Sequence, residues 1–189
     1  GGQIDLSGSW SKTTGGIFTS GTGTINYAAS TTQNIAAENY FNLIASSTGA
    51  RTMNSTGTVG IAGAFTKGTN AYTFTGSTID YNGSGVQDID PFTANAITQG
   101  FTYNNLSLST TGTKQLTALT DVEGSFALNG SIAFKLNAFD LQLKSTVSRT
   151  ANVAQISAAT IDYTGGVGRF VVERFIPAKR AWRLLSAPA

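Results

Sequence analysis

The sequence predicts an all-β fold, specifically a right-handed parallel β-helix or similar β-solenoid, with a β-sandwich as the alternative. Three observations lead there. A short phrase recurs along the chain, apolar and polar residues alternate over several stretches, and Asn or Gly falls where the alternation breaks. Only 12% of the 189 residues are charged, yet 40% are apolar and 22 are glycine, a mixture that suits short strands and turns rather than a disordered linker. The length allows one domain or one segment of a longer array.

The phrase begins at Thr24-Ile25-Asn26-Tyr27 and returns at Thr78-Ile79-Asp80-Tyr81 and Thr160-Ile161-Asp162-Tyr163. Tyr40-Phe41-Asn42-Leu43, Thr48-Gly49-Ala50-Arg51 and Val59 follow the first copy. Tyr103-Asn104-Asn105-Leu106, Thr111-Gly112-Thr113-Lys114 and Val122 follow the second, each 63 residues further on. A recurring unit of this kind is a module that stacks on its copies, and 63 residues would hold about three rungs of some twenty residues. The recurring tyrosines, Tyr27, Tyr81 and Tyr163 in one set and Tyr40 and Tyr103 in the other, are expected to stack on one another. A surface row of tyrosines would instead form a carbohydrate platform.

Three domains of unequal size follow. Residues 1–22 form an N-terminal strand and cap, or continue preceding rungs. Residues 23–168 form the repeats, and 169–189 form a basic, aromatic terminal segment that closes the stack around Phe175 and Trp182. Within the repeats, Phe126-Ala127-Leu128, Ile132-Ala133-Phe134-Lys135-Leu136 and Phe139-Asp140-Leu141-Gln142-Leu143 place apolar side chains on one strand face. Asn129 and Asn137 sit at the breaks, where Asn tolerates left-handed backbone. Asn129-Gly130 is read equally well as a hairpin turn or as one step of an asparagine ladder.

The second unit carries nine extra residues around Asp90-Pro91-Phe92-Thr93-Ala94-Asn95-Ala96-Ile97-Thr98-Gln99, because Tyr81 precedes Tyr103 by 22 residues while Tyr27 precedes Tyr40 by 13. Insertions in repeat proteins leave the stack as loops, so Asp90, Phe92 and Asn95 are candidate ligand contacts. Arg174, Lys179, Arg180, Trp182 and Arg183 are candidates at the other end. Residues 169–189 hold five Lys/Arg against one acid, whereas residues 1–168 hold seven against nine. Such a basic end suits an anionic partner, or a solvated edge whose charges discourage pairing.

No catalytic residue is expected. The chain has neither Cys nor His, which removes thiolate chemistry and the usual general base near neutral pH. Asp80, Asp88 and Asp90 are near enough in sequence to converge on Ca²⁺, but they lack the dense spacing of a Ca²⁺ loop and are read first as a polar turn. No cofactor, nucleic acid or membrane span is expected. The opening residues Gly1-Gly2-Gln3-Ile4-Asp5 hold no basic leader, so any signal peptide is expected to have been removed, or the chain is an internal piece.

The second repeat, Thr78 to Lys114, and above all the closing Gly168-Arg169-Phe170-Val171-Val172-Glu173-Arg174-Phe175-Ile176-Pro177-Ala178-Lys179-Arg180-Ala181-Trp182-Arg183-Leu184-Leu185 resemble segments of very large Bacteroidetes surface proteins. The resemblance covers most of residues 23–185. It implies export by the type IX secretion system, residence outside the cell or on its surface, and a non-enzymatic role in adhesion, gliding or filament building. Expected partners are neighbouring domains of the same longer chain, other copies of it, or surface polysaccharide. Two rival functions stay open: a polysaccharide-binding or polysaccharide-cleaving β-helix, and an ice-binding solenoid, for which the Thr-x-Thr pairs keep no single period.

Overall fold

A computed structural model describes residues 1–13, 15–92 and 103–176. The described residues contain eighteen strands and no helix. The first six are β1 (Gln3–Leu6), β2 (Thr24–Tyr27), β3 (Gln33–Ile35), β4 (Asn39–Tyr40), β5 (Asn42–Ala45) and β6 (Arg51–Met53). Then come β7 (Thr58–Ile61), β8 (Phe65–Thr66), β9 (Tyr72–Thr73), β10 (Thr78–Tyr81), β11 (Gln87–Ile89) and β12 (Asn105–Leu116). The last are β13 (Thr120–Val122), β14 (Ser125–Lys135), β15 (Leu141–Leu143), β16 (Asn152–Ser157), β17 (Thr160–Asp162) and β18 (Phe170–Val172).

Every ladder between these strands is parallel; the antiparallel contact among the described residues is the isolated bridge Ser145–Thr150. A first sheet has the order β1-β2-β5-β8 and a second β3-β6-β9. The third runs β4-β7-β10-β12-β14-β16, with β11 beside β12 and β17 beside β14, and the fourth is β13-β15-β18. From β2 to β10 the chain visits the first, second and third sheets in strict rotation. Aligned residues on successive passes lie 18 apart at Thr24 and Asn42, 21 at Asp5 and Asn26, and 29 at Asp140 and Arg169.

Two long strands change this rotation. The first halves of β12 and β14 lie between β10 and β16, and their second halves pair with β11 and β17. Left-handed backbone at Thr110 (φ 74°) and Gly112 (φ 82°) bends β12, and Gly130 (φ 117°) bends β14. Thr110 and Gly130 are register partners, so the bends stack. Gly130 is therefore a bend inside a parallel strand, not a hairpin turn. Asn137 (φ 53°) takes the left-handed conformation expected of it.

The alternation read from the sequence translates into burial. Phe126, Leu128, Phe134, Leu136 and Leu141 are all fully buried, as are Tyr27, Tyr40, Leu43 and Ile61 in earlier passes. These side chains belong to one continuous core. At the N-terminal end Trp10 and Phe18 fold across it, ring centroids 4.8 Å apart, and Phe18 reaches Tyr40 at 5.8 Å. An ion pair between Lys12 and Glu38 holds that covering loop.

The repeat is real but out of phase with the sheets. Its first copy is β2 in the first sheet and its second is β10 in the third. Likewise Asn42 lies in the first sheet and Asn105 in the third, while Tyr40 lies in the third and Tyr103 bridges Val122 of β13. The local chemistry survives this shift: Asn42 Oδ1 accepts from the Ala64 amide at 3.0 Å and Asn105 Oδ1 from the Ser125 amide at 2.9 Å.

Candidate functional site

The densest polar chemistry lies inside the corners where one strand turns into the next. Gln33 Oε1 accepts from the Ala29 amide at 2.9 Å, and its Nε2 donates to the Leu6 and Gly8 carbonyls of the preceding pass at 2.9 and 2.8 Å. Gln87 repeats the arrangement. Its Oε1 accepts from the Gly83 amide at 2.8 Å, and its Nε2 donates to Ile61 O and Gly63 O at 2.8 and 2.9 Å. A turning backbone leaves carbonyls without ladder partners, and a long side chain from the next pass supplies the donors.

A buried cation stands beside each glutamine. Arg51 is the register partner of Gln33, and Lys114 that of Gln87. Neither is solvent exposed. Arg51 Nη2 donates to Tyr27 O, Ala29 O and Ser46 O at 2.8, 3.1 and 2.6 Å; Nη1 donates to Gly49 O, Ala50 O and Thr31 O at 2.7, 3.1 and 3.4 Å. Lys114 Nζ donates to Gly83 O, to Gln87 Oε1 at 2.7 Å and to Thr111 O at 3.3 Å. Burial lowers the pKa of both, and that of Lys114 falls to about 8 although Asp80 pulls it upward. A lysine titrating there has the basicity of a catalytic amine. Here all three of its N–H donors are engaged and no solvent reaches it, so it stitches passes together rather than meeting a substrate.

The recurring tyrosines also pair differently from the expectation. Tyr27 and Tyr40 bring their hydroxyls to 2.9 Å, and Tyr81 and Tyr103 to 2.8 Å. Each pair sits edge to face at 6.4 Å between centroids. Tyr40 Oη donates to Ala36 O at 3.0 Å and Tyr103 Oη to Asp90 O at 3.2 Å. Stacking of Tyr27 on Tyr81 and Tyr163 is ruled out because the copies occupy different ladders, and Tyr163 is 52% exposed. Burial raises the pKa of Tyr27, Tyr40, Tyr72, Tyr81 and Tyr103.

Where the insertion begins, Lys67 is buried and reaches Asp90 twice, at the main-chain carbonyl and at Oδ2 (2.8 Å), with its ammonium 5.0 Å from the Phe92 ring centre. Burial lowers the Lys67 pKa and Asp90 opposes the shift. Phe92 is only 4% exposed and lies among Phe65, Tyr72, Phe74 and Tyr103 at 5.8, 4.6, 4.8 and 5.5 Å. It is a core plug, which corrects its reading as a ligand contact. Asp90 remains exposed on the surface, and Asn95 lies outside the described residues.

The three aspartates do not converge. Asp80 Oδ2 accepts from Ser109 Oγ at 2.8 Å, Asp88 Oδ1 from Gln115 Nε2 at 2.6 Å, and Asp90 holds Lys67. Among the described residues no group of three or more acidic side chains could hold a metal ion. Arg174 is exposed, and Lys179, Arg180, Trp182 and Arg183 lie outside the described residues. The outer surface of the described residues carries several shallow grooves. One of about 580 Å³ runs past Phe65, Asp88, Asp90 and Gln115, and one of about 470 Å³ lies beside Leu119, Phe139, Val167 and the Asp140–Arg169 ion pair.

The corner residues were missed as a functional group, although the repeat contains their signal: a cation ends both Thr-Gly-Ala-Arg and Thr-Gly-Thr-Lys. No family model matches the chain, and comparison with curated proteins and with solved structures returned no match.

Proposed function

We propose that this chain is a right-handed parallel β-helix serving as a non-enzymatic structural or adhesive segment of a secreted bacterial surface protein: a stalk, an adhesin body or a filament subunit. The observation that carries the reading is the use made of the buried polar groups. Gln33, Arg51, Gln87 and Lys114 each bond backbone atoms at a corner, and all four reach carbonyls of the preceding pass directly. Such an interior resists separation of its passes, which is what a scaffold under tension needs. Right-handedness follows from the strong preference of parallel crossovers for that hand. Export through the type IX system and a surface location rest on the resemblance of the closing segment. Neighbouring domains or further copies are the partners that this role requires.

The 580 Å³ groove favours a second reading, a surface polysaccharide held by Asp88, Asp90 and Gln115 beside Phe65. One experiment separates the two. The chain is incubated with a panel of bacterial and algal glycans, and both retention and release of reducing ends are measured. A stalk retains none and cleaves none; retention without cleavage selects the binding reading, and cleavage overturns the non-enzymatic one. Small-angle scattering tests the architecture, since a parallel β-helix gives an elongated rod profile and a sandwich a compact one.

A further inference from the structure

β7 and β10 are ladder partners, yet the strands that follow them are not. Among the described residues β8 pairs with β5 alone and β11 with β12 alone. Two successive passes thus meet here without ladder hydrogen bonds, and side chains cross the seam instead. Gln87 Nε2 crosses it to Ile61 O and Gly63 O. Lys67, directly after β8, crosses it to Asp90, directly after β11. Lys67 Nζ lies 2.8 Å from Asp90 Oδ2 and also donates to the Asp90 main-chain carbonyl. The lysine is 8% exposed and lies against Phe92, whereas the aspartate side chain is 63% exposed.

We propose that Lys67 and Asp90 close into an amide cross-link that the folded chain makes by itself. One ammonium proton passes along the contact to Oδ2, leaving a neutral amine and a neutral carboxyl group. The amine lone pair then attacks Cγ and forms the C–N bond. Nitrogen gives a second proton to the Oδ2 hydroxyl, the Cγ–Oδ2 bond breaks, and one water leaves. One ammonium and one carboxylate thus yield one amide and one water, with no further reactant. The fold already holds the two groups in contact, which removes the entropy cost of bringing them together. Burial lowers the Lys67 pKa against the opposing pull of Asp90, and a desolvated lysine is a better nucleophile. Reaction also replaces a buried charge by a neutral amide. The exposed side of Asp90 lets the water out, and Tyr103 Oη, donating to Asp90 O at 3.2 Å, holds its backbone in place. The bond joins residues 23 apart in sequence and fastens the seam where the ladder is missing.

The mass of the intact, denatured chain tests this. The wild type is expected one water lighter than its sequence, and Lys67→Met and Asp90→Ala at the full mass of theirs. Trypsin locates the bond. Lys67 is the only Lys or Arg between Arg51 and Lys114, and trypsin does not cut after an acylated lysine. The wild type should therefore release residues 52–114 as one peptide, a water light, whose fragmentation places the loss across 67 and 90. A wild type at full mass overturns the proposal, and so does cleavage after Lys67 or a water lost at another site. The wild type decides the matter even where a variant does not fold. Neither result touches the stalk reading, which is judged on glycans and shape.

Discussion

Lys114 Nζ lies 2.7 Å from Gln87 Oε1, across two neighbouring strands in the interior of the protein. Its three hydrogen bonds all go to neutral oxygens, while the Asp80 charge acts on it without a hydrogen bond. Lys114→Met should leave Gly83 O, Thr111 O and Gln87 Oε1 short of a donor. A loss of about 2 kcal/mol is expected, below the sum of three orphaned acceptors because a buried charge is removed as well. Arg51→Met strands six carbonyl contacts and should cost about 3–5 kcal/mol. Urea midpoints at constant slope measure both; Arg51→Met proving the milder change would contradict the role assigned to its guanidinium.

The same lysine shapes the response to alkali. The unfolded chain keeps this proton to about pH 10.5, while the folded chain releases it near pH 8. Between those values the unfolded state binds more protons, so stability rises with pH. Above about pH 10 the sign reverses. Unfolded tyrosines ionise there, whereas burial keeps Tyr40, Tyr72, Tyr81 and Tyr103 protonated in the folded state. Denaturation midpoints should climb from pH 8, peak near pH 9–10 and then drop steeply. In Lys114→Met the climb should shrink and the drop remain.

The paired tyrosines are not equivalent. Tyr103 Oη donates to Asp90 O, so the bond between the rings is donated by Tyr81. Tyr81→Phe removes one donor and should cost about 1 kcal/mol. Tyr103→Phe orphans the buried Tyr81 hydroxyl and withdraws a donor from Asp90 O, for about 2–3 kcal/mol. Equal costs in thermal or urea unfolding would reverse the assigned direction of the hydrogen bond.

Gly60 separates two asparagines that meet across it. Asn82 Nδ2 donates to Asn39 Oδ1 at 3.2 Å, and a β-carbon on Gly60 would stand 2.7 Å from that nitrogen and closer still to the oxygen. Both atoms are ends of surface side chains that can swing aside, so Gly60→Ala is expected to cost no more than about 1 kcal/mol, much of it the lost Asn82–Asn39 bond. Adding Asn39→Ala, which makes room, should recover part of it; a double-mutant cycle reads the coupling.

Alternation along Phe126 to Leu143 locates strands and core because a period of two is a property of each strand by itself. The stacking partners were not legible in the same way. Sixty-three residues suggest whole rungs, but aligned residues are 18 to 29 apart, and from Thr24 to Thr78 the chain advances from β2 to β10, which is not a whole number of rotations through three sheets. The repeat therefore returns on a different ladder, and Tyr81 meets Tyr103 rather than Tyr27. Phe92 was assigned to a loop because it opens the inserted stretch. Its burial depends on the hole left among Phe65, Tyr72 and Phe74, which only the assembled passes create.

The shift of the repeat from the first sheet to the third bears on how such a chain can diversify. A module duplicated in whole rotations would present every copied surface residue in a single file on one sheet. Here the copy emerges on a different sheet, with its asparagine brackets intact at Asn42 and Asn105. A contact surface evolved on one module would be inherited on another sheet, so repetition alone could present it in more than one direction.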